Sequence, residues 1–492
     1  MKTKSELQQF VRERLGNFRF IAVSNRQPVT HKFKHGKIES YRTPGGVVTA
    51  LDPVMQACQG TWIAFGNGDA DKVVSNEFGK IGLPLGQPSY TLKRVWLTKE
   101  EEMGYYNGYS NEALWPLCHM AFQRPIFREE DWNQYVAVNK KFAESILEEI
   151  DGKKAFVWLQ DYHLCLVPKF LKEMAKEQVI IAHFWHIPWP SYEAFRICSH
   201  KKEILEGLLA NDILGFQIMY HCNNFIDVVD RELESKINRE RHSIIRQGHE
   251  TLVRAFPISI DFQGIEEQVL SDDMKELETS LKDEYGLNNR KVILGIERMD
   301  YTKGIPEKFL AYDQLLTKYP QIRKKVVFVF KGAMSRIHLD KYKMLNAEIA
   351  KLIEDINWRH GEGDWKPIIV IEREVSYREI LALYRIAGVC VVSSLHDGMN
   401  LVAKEFVACR DDEGGVLMLS QFTGAAREMR DAVLINPYAR EQFCDHLYAA
   451  ITMPDNEVKR RMAGLRAVVK ENNIYGWAEK IMTELFKIEI QV

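Results

Sequence analysis

The chain has 492 residues, 46% hydrophobic and 27% charged, and its 66 basic against 68 acidic side chains leave a formal net charge of −2. Such a balance belongs to a globular chain without the bulk positive field that holds a polyanion, which sets nucleic acid aside as the main ligand. No apolar run reaches the roughly 18 to 20 residues of a membrane span, and the mixed-charge residues 1–14 do not form a signal peptide, so no membrane association is expected and the expected location is the cytoplasm.

Apolar β-branched runs alternate with helix-period stretches almost from end to end, the pattern of an α/β chain whose parallel sheets are covered on both faces. Strands are predicted at residues 18–24, 61–65, 155–160, 180–185 and 212–216. The string RAFPISIDFQ (254–263) breaks the alternation with a proline, and a charged helix over 264–285 leads to a strand at 291–298. A linker is expected there, with domains over 1–255 and 256–474. Further strands follow at 326–330, 367–371, 389–393, 416–420 and 433–435, and the amphipathic segment 475–486 is placed to cap the second domain or to cross back to the first. Ligands of such doubly wound sheets bind at the carboxyl ends of the strands, here in a cleft expected between the domains. The eight cysteines lie singly with no C-x-x-C pair and are expected to be reduced core residues.

Several strand ends carry chemistry. In LHDGMNLVAKEF (395–406) a strand ends at a His-Asp-Gly turn and a helix begins, so the free N–H groups after Gly398 suit a diphosphate and Glu405 reaches a neutral hydroxyl. The bland alternative is a junction capped by Asp397 or Asn400. In IERMDYTKG (296–304) Arg298 and Lys303 supply two cations for one diphosphate, or, less specifically, two surface ion pairs. His186 in IAHFWHIPWP is held at a strand tip, where a histidine hydrogen-bonds a substrate or titrates near neutral pH. Asp161 in LQDYHL follows another strand, where helix capping is the commoner role. Arg26 ends the first strand, and a basic loop leads to Gly45 and Gly46, which permit close backbone approach. Trp62, Tyr106 and Trp115 suit a sugar site, although aromatics in such runs are usually core. Asp69-Ala70-Asp71 has the D-x-D form of a metal–nucleotide site but is short enough to arise by chance, and with no P-loop and no G-x-G-x-x-G neither a P-loop ATPase nor a simple dehydrogenase is supported; no metal and no cofactor are expected.

Taken together, SNRQPV, PGGVVTAL, YYNGYSNEALWP, WLQDYHL, HIPWP, NDILGFQ, ERMDYTKG, SRIHLD and DGMNLVAKEF resemble, in this order, the trehalose-6-phosphate synthases, over about residues 20–450. The resemblance implies a GT-B fold: two Rossmann-like domains facing across a cleft, a C-terminal helix (475–492) crossing back, and metal-free retaining transfer of glucose from a nucleotide sugar. It implies a donor-binding C-terminal domain and an acceptor-binding N-terminal domain. Arg298 and Lys303 match the residues that hold the donor diphosphate, Glu405 the carboxylate on the ribose, and Gly46 the loop glycine near the donor phosphates. Asp397, with the backbone of Gly398, Met399, Asn400 and Leu401, matches the group that holds the glucose. His186 and Asp161 match residues beside glucose and acceptor, Arg26 and Arg336 the arginines on the sugar phosphate, and Trp62, Tyr106, Trp115 and Gln217 the acceptor pocket wall. The implied small-molecule substrates are UDP-glucose, or another nucleoside-diphosphate glucose, and glucose 6-phosphate. A homo-oligomer and a separate phosphatase acting on the product are further expectations. Departures on the acceptor side, such as GNGD after Trp62 and a long basic loop after Arg26, keep open a glucosylglycerol-phosphate synthase, a cyclitol-coupling pseudo-glycosyltransferase or a catalytically silent sugar-phosphate sensor.

Overall fold

The computed structural model describes residues 2–43, 45–175, 179–336 and 338–491. The chain divides into two compact units, one formed by residues 1–258 with 474–492 and the other by 259–473.

In the first unit the strands are β1 (Arg19–Arg26), β2 (Val29–Lys34), β3 (Lys37–Arg42), β4 (Thr61–Phe65), β5 (Lys80–Leu83), β6 (Tyr90–Val95), β7 (Ala155–Gln160), β8 (Val179–Phe184), β9 (Ile213–Phe216), β10 (Lys236–Asn238), β11 (Ser243–Arg246) and β12 (His249–Ala255). Ten of them form one sheet in the order β10-β11-β12-β9-β8-β7-β1-β4-β6-β5, while β2 and β3 pair as a separate hairpin. From β12 to β6 every neighbour is parallel. All six residues of β7 and of β8 are buried, as a strand covered on both faces requires. Chain order reverses between β1 and β7, so the switch point lies at the exits of those two strands.

Between β6 and β7, residues Glu102–Leu114 form a wide helix with i→i+5 bonding. Gly104 and Gly108 face the helix Glu129–Ile150 so closely that a Cβ there would stand 2.6 Å from Gln134 and 2.3 Å from Asp131. The C-terminal helix Ile474–Gln491 packs on this same unit. Its Trp477 ring lies 4.9 Å from Trp158 and 5.1 Å from Phe184, and its indole N–H donates to the Phe256 carbonyl at 3.1 Å.

The second unit has six strands, β13 (Lys291–Arg298), β14 (Val326–Ala333), β15 (Ile368–Val370), β16 (Val389–Val392), β17 (Val416–Ser420) and β18 (Val433–Ile435), all parallel in the order β15-β14-β13-β16-β17-β18. That is the doubly wound 3-2-1-4-5-6 order, with its switch point between β13 and β16. Ile293, Phe328, Val391 and Met418 of the sheet meet Phe309, Tyr312, Ile349 and Leu447 of the covering helices in one core.

The structure departs from the sequence reading in three places. The expected linker begins inside β12, the predicted helix over 264–285 is two helices, Phe262–Val269 and Met274–Glu284, and β5, β6, β10, β11 and β12 had not been expected. All eight cysteines are buried and free, as expected of reduced core residues. Among the described residues no helix is long and apolar enough to cross a membrane.

Candidate active site

The candidate residues gather at the switch point of each unit. In the second unit β13 delivers Arg298, and the chain turns through Asp300 and the short helical turn Tyr301–Lys303 into the helix Ile305–Lys318. Gly304 makes this turn possible. Its φ is +61°, and a Cβ would lie 2.2 Å from the Ser393 carbonyl at the exit of β16. Ser393 Oγ donates to the carbonyl groups of Lys303 and Gly304, both at 2.9 Å, so the two strand exits are stitched together.

That stitching places Lys303 Nζ 2.5 Å from Asp397 Oδ2. Ser394 Oγ and Asn400 Nδ2 donate to the same carboxylate oxygen at 3.2 Å each. Asn400, at φ +101°, caps the helix Leu401–Ala408 by accepting from the Ala403 N–H at 3.0 Å. The junction is therefore capped as the bland reading has it, and it also presents helix N-terminal amides beside Lys303. Met399 is buried, its carbonyl accepting from the Ala425 N–H, and Gly424 passes so close that a Cβ would stand 2.0 Å from the Gly398 carbonyl. Glu405, further along the helix, accepts from the Tyr384 hydroxyl at 3.2 Å.

Asp300 was not singled out in the sequence, yet it organises the cations. It is wholly buried. Oδ1 accepts from the Thr302 N–H and hydroxyl at 3.1 and 3.0 Å, while Oδ2 faces Arg336 and Tyr342 at 3.3 Å and Arg298 at 3.8 Å. Arg336 thus belongs to the same cluster as Arg298, in the second unit. Burial alone would raise the Asp300 pKa, but Arg336, Arg298 and Lys303 together hold it below the ordinary 3.8.

In the first unit Arg26 ends β1 and donates to the Tyr106 hydroxyl at 3.2 Å. Gly46 opens the helix Gly46–Cys58, and the preceding Gly45, at φ +144°, passes near the Arg26 guanidinium. Asp161 follows β7 at φ +71°, a strained conformation for a residue with a side chain. Its N–H donates to the Phe184 carbonyl at 2.7 Å, and its carboxylate accepts from the His186 N–H at 3.2 Å. His186 Nε2 lies 2.8 Å from the Gln160 side-chain amide, which fixes the plane of the ring. Gln217 is buried, binding the His186 carbonyl at 3.4 Å and accepting from the Ile258 N–H at 3.0 Å.

The expected role of Trp62 in a pocket wall is corrected by its position. The indole has no exposed surface and donates to Ser24 Oγ at 2.8 Å inside the sheet. Both faces of β4 are covered, so alternation does not bring one face to solvent. Trp115 is also buried, against His119 and Tyr162. Asp71 of the D-x-D triplet is buried beside Arg94, and Asp69 accepts from the Phe33 N–H. Among the described residues no group of three or more His, Cys, Asp or Glu side chains is placed to hold a metal ion.

Burial, reinforced by His183, pulls the His186 pKa down to about 3. His186 is therefore neutral at working pH, unlike the near-neutral titration the sequence suggested. Unfolded histidine takes up its proton near 6.5, so this group subtracts stability as pH falls below 6.5 toward 3. A proton NMR titration of the imidazole Cε1–H is expected to show no shift for His186 between pH 5 and 8. An inflection near 6.5 refutes the neutral assignment.

Two doubly wound parallel sheets in one chain, with a cation cluster beside a capped helix N-terminus at the second switch point, match the GT-B fold of solved glycosyltransferase structures. The model of glycosyltransferase family 20 matches residues 18–487, and the chain belongs to that family. Trehalose-6-phosphate synthase of Mycobacterium avium is 37% identical over 478 residues, covering 96% of both chains. That of Mycolicibacterium smegmatis is 36% identical, covering 96% of this chain and 93% of its own. A UDP-forming α,α-trehalose-phosphate synthase from Burkholderia xenovorans, in complex with glucose-6-phosphate, matches with a TM-score of 0.84 and 28% identity over 95% of this chain and 100% of that one. An E. coli structure bound with UDP-2-fluoro glucose matches with a TM-score of 0.83 and 29% identity, covering 95% and 99%.

Proposed function

We propose that the chain transfers glucose from UDP-glucose to glucose 6-phosphate with retention at the anomeric carbon, giving α,α-trehalose 6-phosphate and UDP. The observation that carries this reading is the cluster of Arg298, Lys303 and Asp397 at the second switch point, beside the N-terminus of the helix bearing Glu405. Arg298 and Lys303 bind the diphosphate, Glu405 the ribose, and Asp397 with the backbone from Gly398 to Leu401 the glucose hydroxyl groups. Gly46 lies near the donor phosphates. His186 and Asp161 stand beside the glucose and the acceptor hydroxyl, Arg26 and Arg336 hold the acceptor phosphate, and Tyr106, Trp115 and Gln217 support its site.

The acceptor hydroxyl attacks from the face the diphosphate leaves. One C–O bond breaks, one forms, and the departing phosphate oxygen takes the hydroxyl proton, so no protein nucleophile is required. The protein supplies positioning and charge stabilisation. Donor binding moves the Lys303 ammonium from Asp397 to a phosphate oxygen and frees that carboxylate for a sugar hydroxyl.

Incubation with UDP-glucose and glucose 6-phosphate is expected to release UDP and a disaccharide monophosphate, as read by product mass. Release only with glycerol 3-phosphate changes the product, and silence with UDP-, GDP- and ADP-glucose together with intact ligand binding leaves a sensor. Arg26→Ala is expected to raise the KM for glucose 6-phosphate by about 10- to 100-fold, the loss of a charge-assisted hydrogen bond, with the KM for UDP-glucose unchanged. Steady-state kinetics with each substrate varied in turn checks this.

A further inference from the structure

The D-x-D triplet, unused by the chemistry above, leads to a polar network beneath the hairpin β2–β3. Asp71 has no exposed surface, and its carboxylate accepts from the His31 N–H at 2.8 Å, the Gly68 N–H at 2.7 Å and Gln27 Nε2 at 2.6 Å. Arg94, from β6, lies 3.2 Å away and is itself buried. Its Nε donates to Gln27 Oε1 at 2.8 Å, Nη1 to Ser75 Oγ at 2.8 Å and to the Asp71 carbonyl at 3.2 Å, and Nη2 to the Val29 carbonyl at 3.2 Å. The His31 Nδ1 lone pair faces Nη2 at 2.9 Å, and burial with the Arg94 charge favours the neutral ring that can accept there.

Gln27 is the residue on which this network converges. Its carbonyl oxygen is held by Arg94, and its amide nitrogen is within reach of Asp71, Asn67 at 2.9 Å and Thr30 at 3.3 Å. It directly follows Arg26. The pairing of β1 with β4 slips between Ser24 and Arg26, so the regular ladder is interrupted just before the arginine. Ser24 Oγ bonds the Arg26 carbonyl at 2.7 Å on one side of this irregularity, and the Gln27 amide anchors the other. A side chain satisfied in this way has few alternative rotamers, so the direction in which Arg26 leaves the strand is fixed.

We propose that Gln27, anchored by the Asp71–Arg94 pair, is a positioning residue for Arg26 and thereby sets the affinity for the phosphate of the acceptor. The proposal rests on Arg26 binding that phosphate. Acting through Arg26, Gln27 matters only while the arginine is present. A methionine at 27 keeps the length of the side chain and removes every hydrogen bond.

The test is a double-mutant cycle on the full chain, with KM and kcat measured for UDP-glucose and glucose 6-phosphate. Gln27→Met is expected to raise the KM for glucose 6-phosphate about tenfold, the effect of a lost hydrogen-bond anchor, with kcat and the KM for UDP-glucose within about twofold. In an Arg26→Ala background the same change is expected to add nothing. An equal rise in both backgrounds, or none in either while Arg26→Ala alone raises the KM, overturns the positioning role and leaves Arg26 as the phosphate ligand. An unchanged KM in Arg26→Ala itself overturns the assignment of Arg26 and the proposal with it. If Gln27→Met does not fold, Gln27→Asn, which draws the amide back by one methylene, is measured against the same criteria.

Discussion

Lys303→Ala is expected to lower kcat/KM for UDP-glucose by about two to three orders of magnitude while leaving the fold intact. The turn that carries Lys303 is held by backbone groups an alanine retains: the Lys303 N–H on the Asp300 carbonyl at 3.0 Å, and Ser393 Oγ on the carbonyl groups of Lys303 and Gly304. Gly304 keeps its left-handed conformation, and the Asp397 carboxylate keeps Ser394 and Asn400. On the proposed mechanism, what disappears is a cation beside the leaving diphosphate. Charge builds on that group as the glycosidic bond breaks, so the loss is larger in the transition state than in the ground state and falls mainly on kcat. Lys303→Arg restores the charge but replaces a point donor with a planar fork, and recovers only part of the rate. Steady-state UDP release with a thermal melt of each variant measures both quantities, and a rate within about fivefold of the parent with an unchanged melt removes Lys303 from the mechanism.

The parallel cores were legible because their strands are continuous apolar runs. All six residues of Ala155–Gln160 are buried, and the predicted bounds coincide with β7. The strands β10 to β12 escaped because they are only half buried and polar residues interrupt them, as in His249–Ala255, where burial is confined to Thr251 and Val253. The helix Glu102–Leu114 is wound wider than an α-helix, with i→i+5 bonds, and so does not match a 3.6-residue period. Trp62 shows a further limit: in a sheet covered on both sides, residue type does not tell which aromatic reaches a ligand. Motif strings located the switch points, since Arg298, Asp397, Asp161 and His186 all stand at or just after strand ends. They did not separate the groups meant for a ligand from those that hold them, because the buried partners Asp300, Gln160 and Gln27 are brought to their arginines and histidine by hydrogen bonds across the fold.

Asp300→Ala is expected to damage stability and activity together. The carboxylate is the buried counter-charge of Arg336, whose side chain is only 4% exposed, whereas Arg298 is 31% exposed and can be solvated. Removing one partner of a buried pair leaves the other uncompensated, at a cost of about 3–5 kcal/mol. In a unit of this size that corresponds to a fall in Tm of roughly 10 °C, at 2–4 °C per kcal/mol. Asp300→Asn retains an oxygen for the Thr302 N–H and hydroxyl and loses only the charge, so it unfolds at a higher temperature than the alanine variant. Both variants release Arg298 and Arg336 from a common anchor, and the KM values for UDP-glucose and glucose 6-phosphate are expected to rise together. Arg336→Ala, by contrast, is expected to raise only the second. The linkage has a defined sign: a carboxylate whose folded pKa lies below its ordinary 3.8 contributes its full stability above that value and loses it as pH falls below it. The parent is therefore expected to lose stability below pH 4 more steeply than Asp300→Asn. Chemical denaturation between pH 3 and 7 with both proteins measures the difference, and parallel curves mean that Asp300 does not hold the two arginines as an ion.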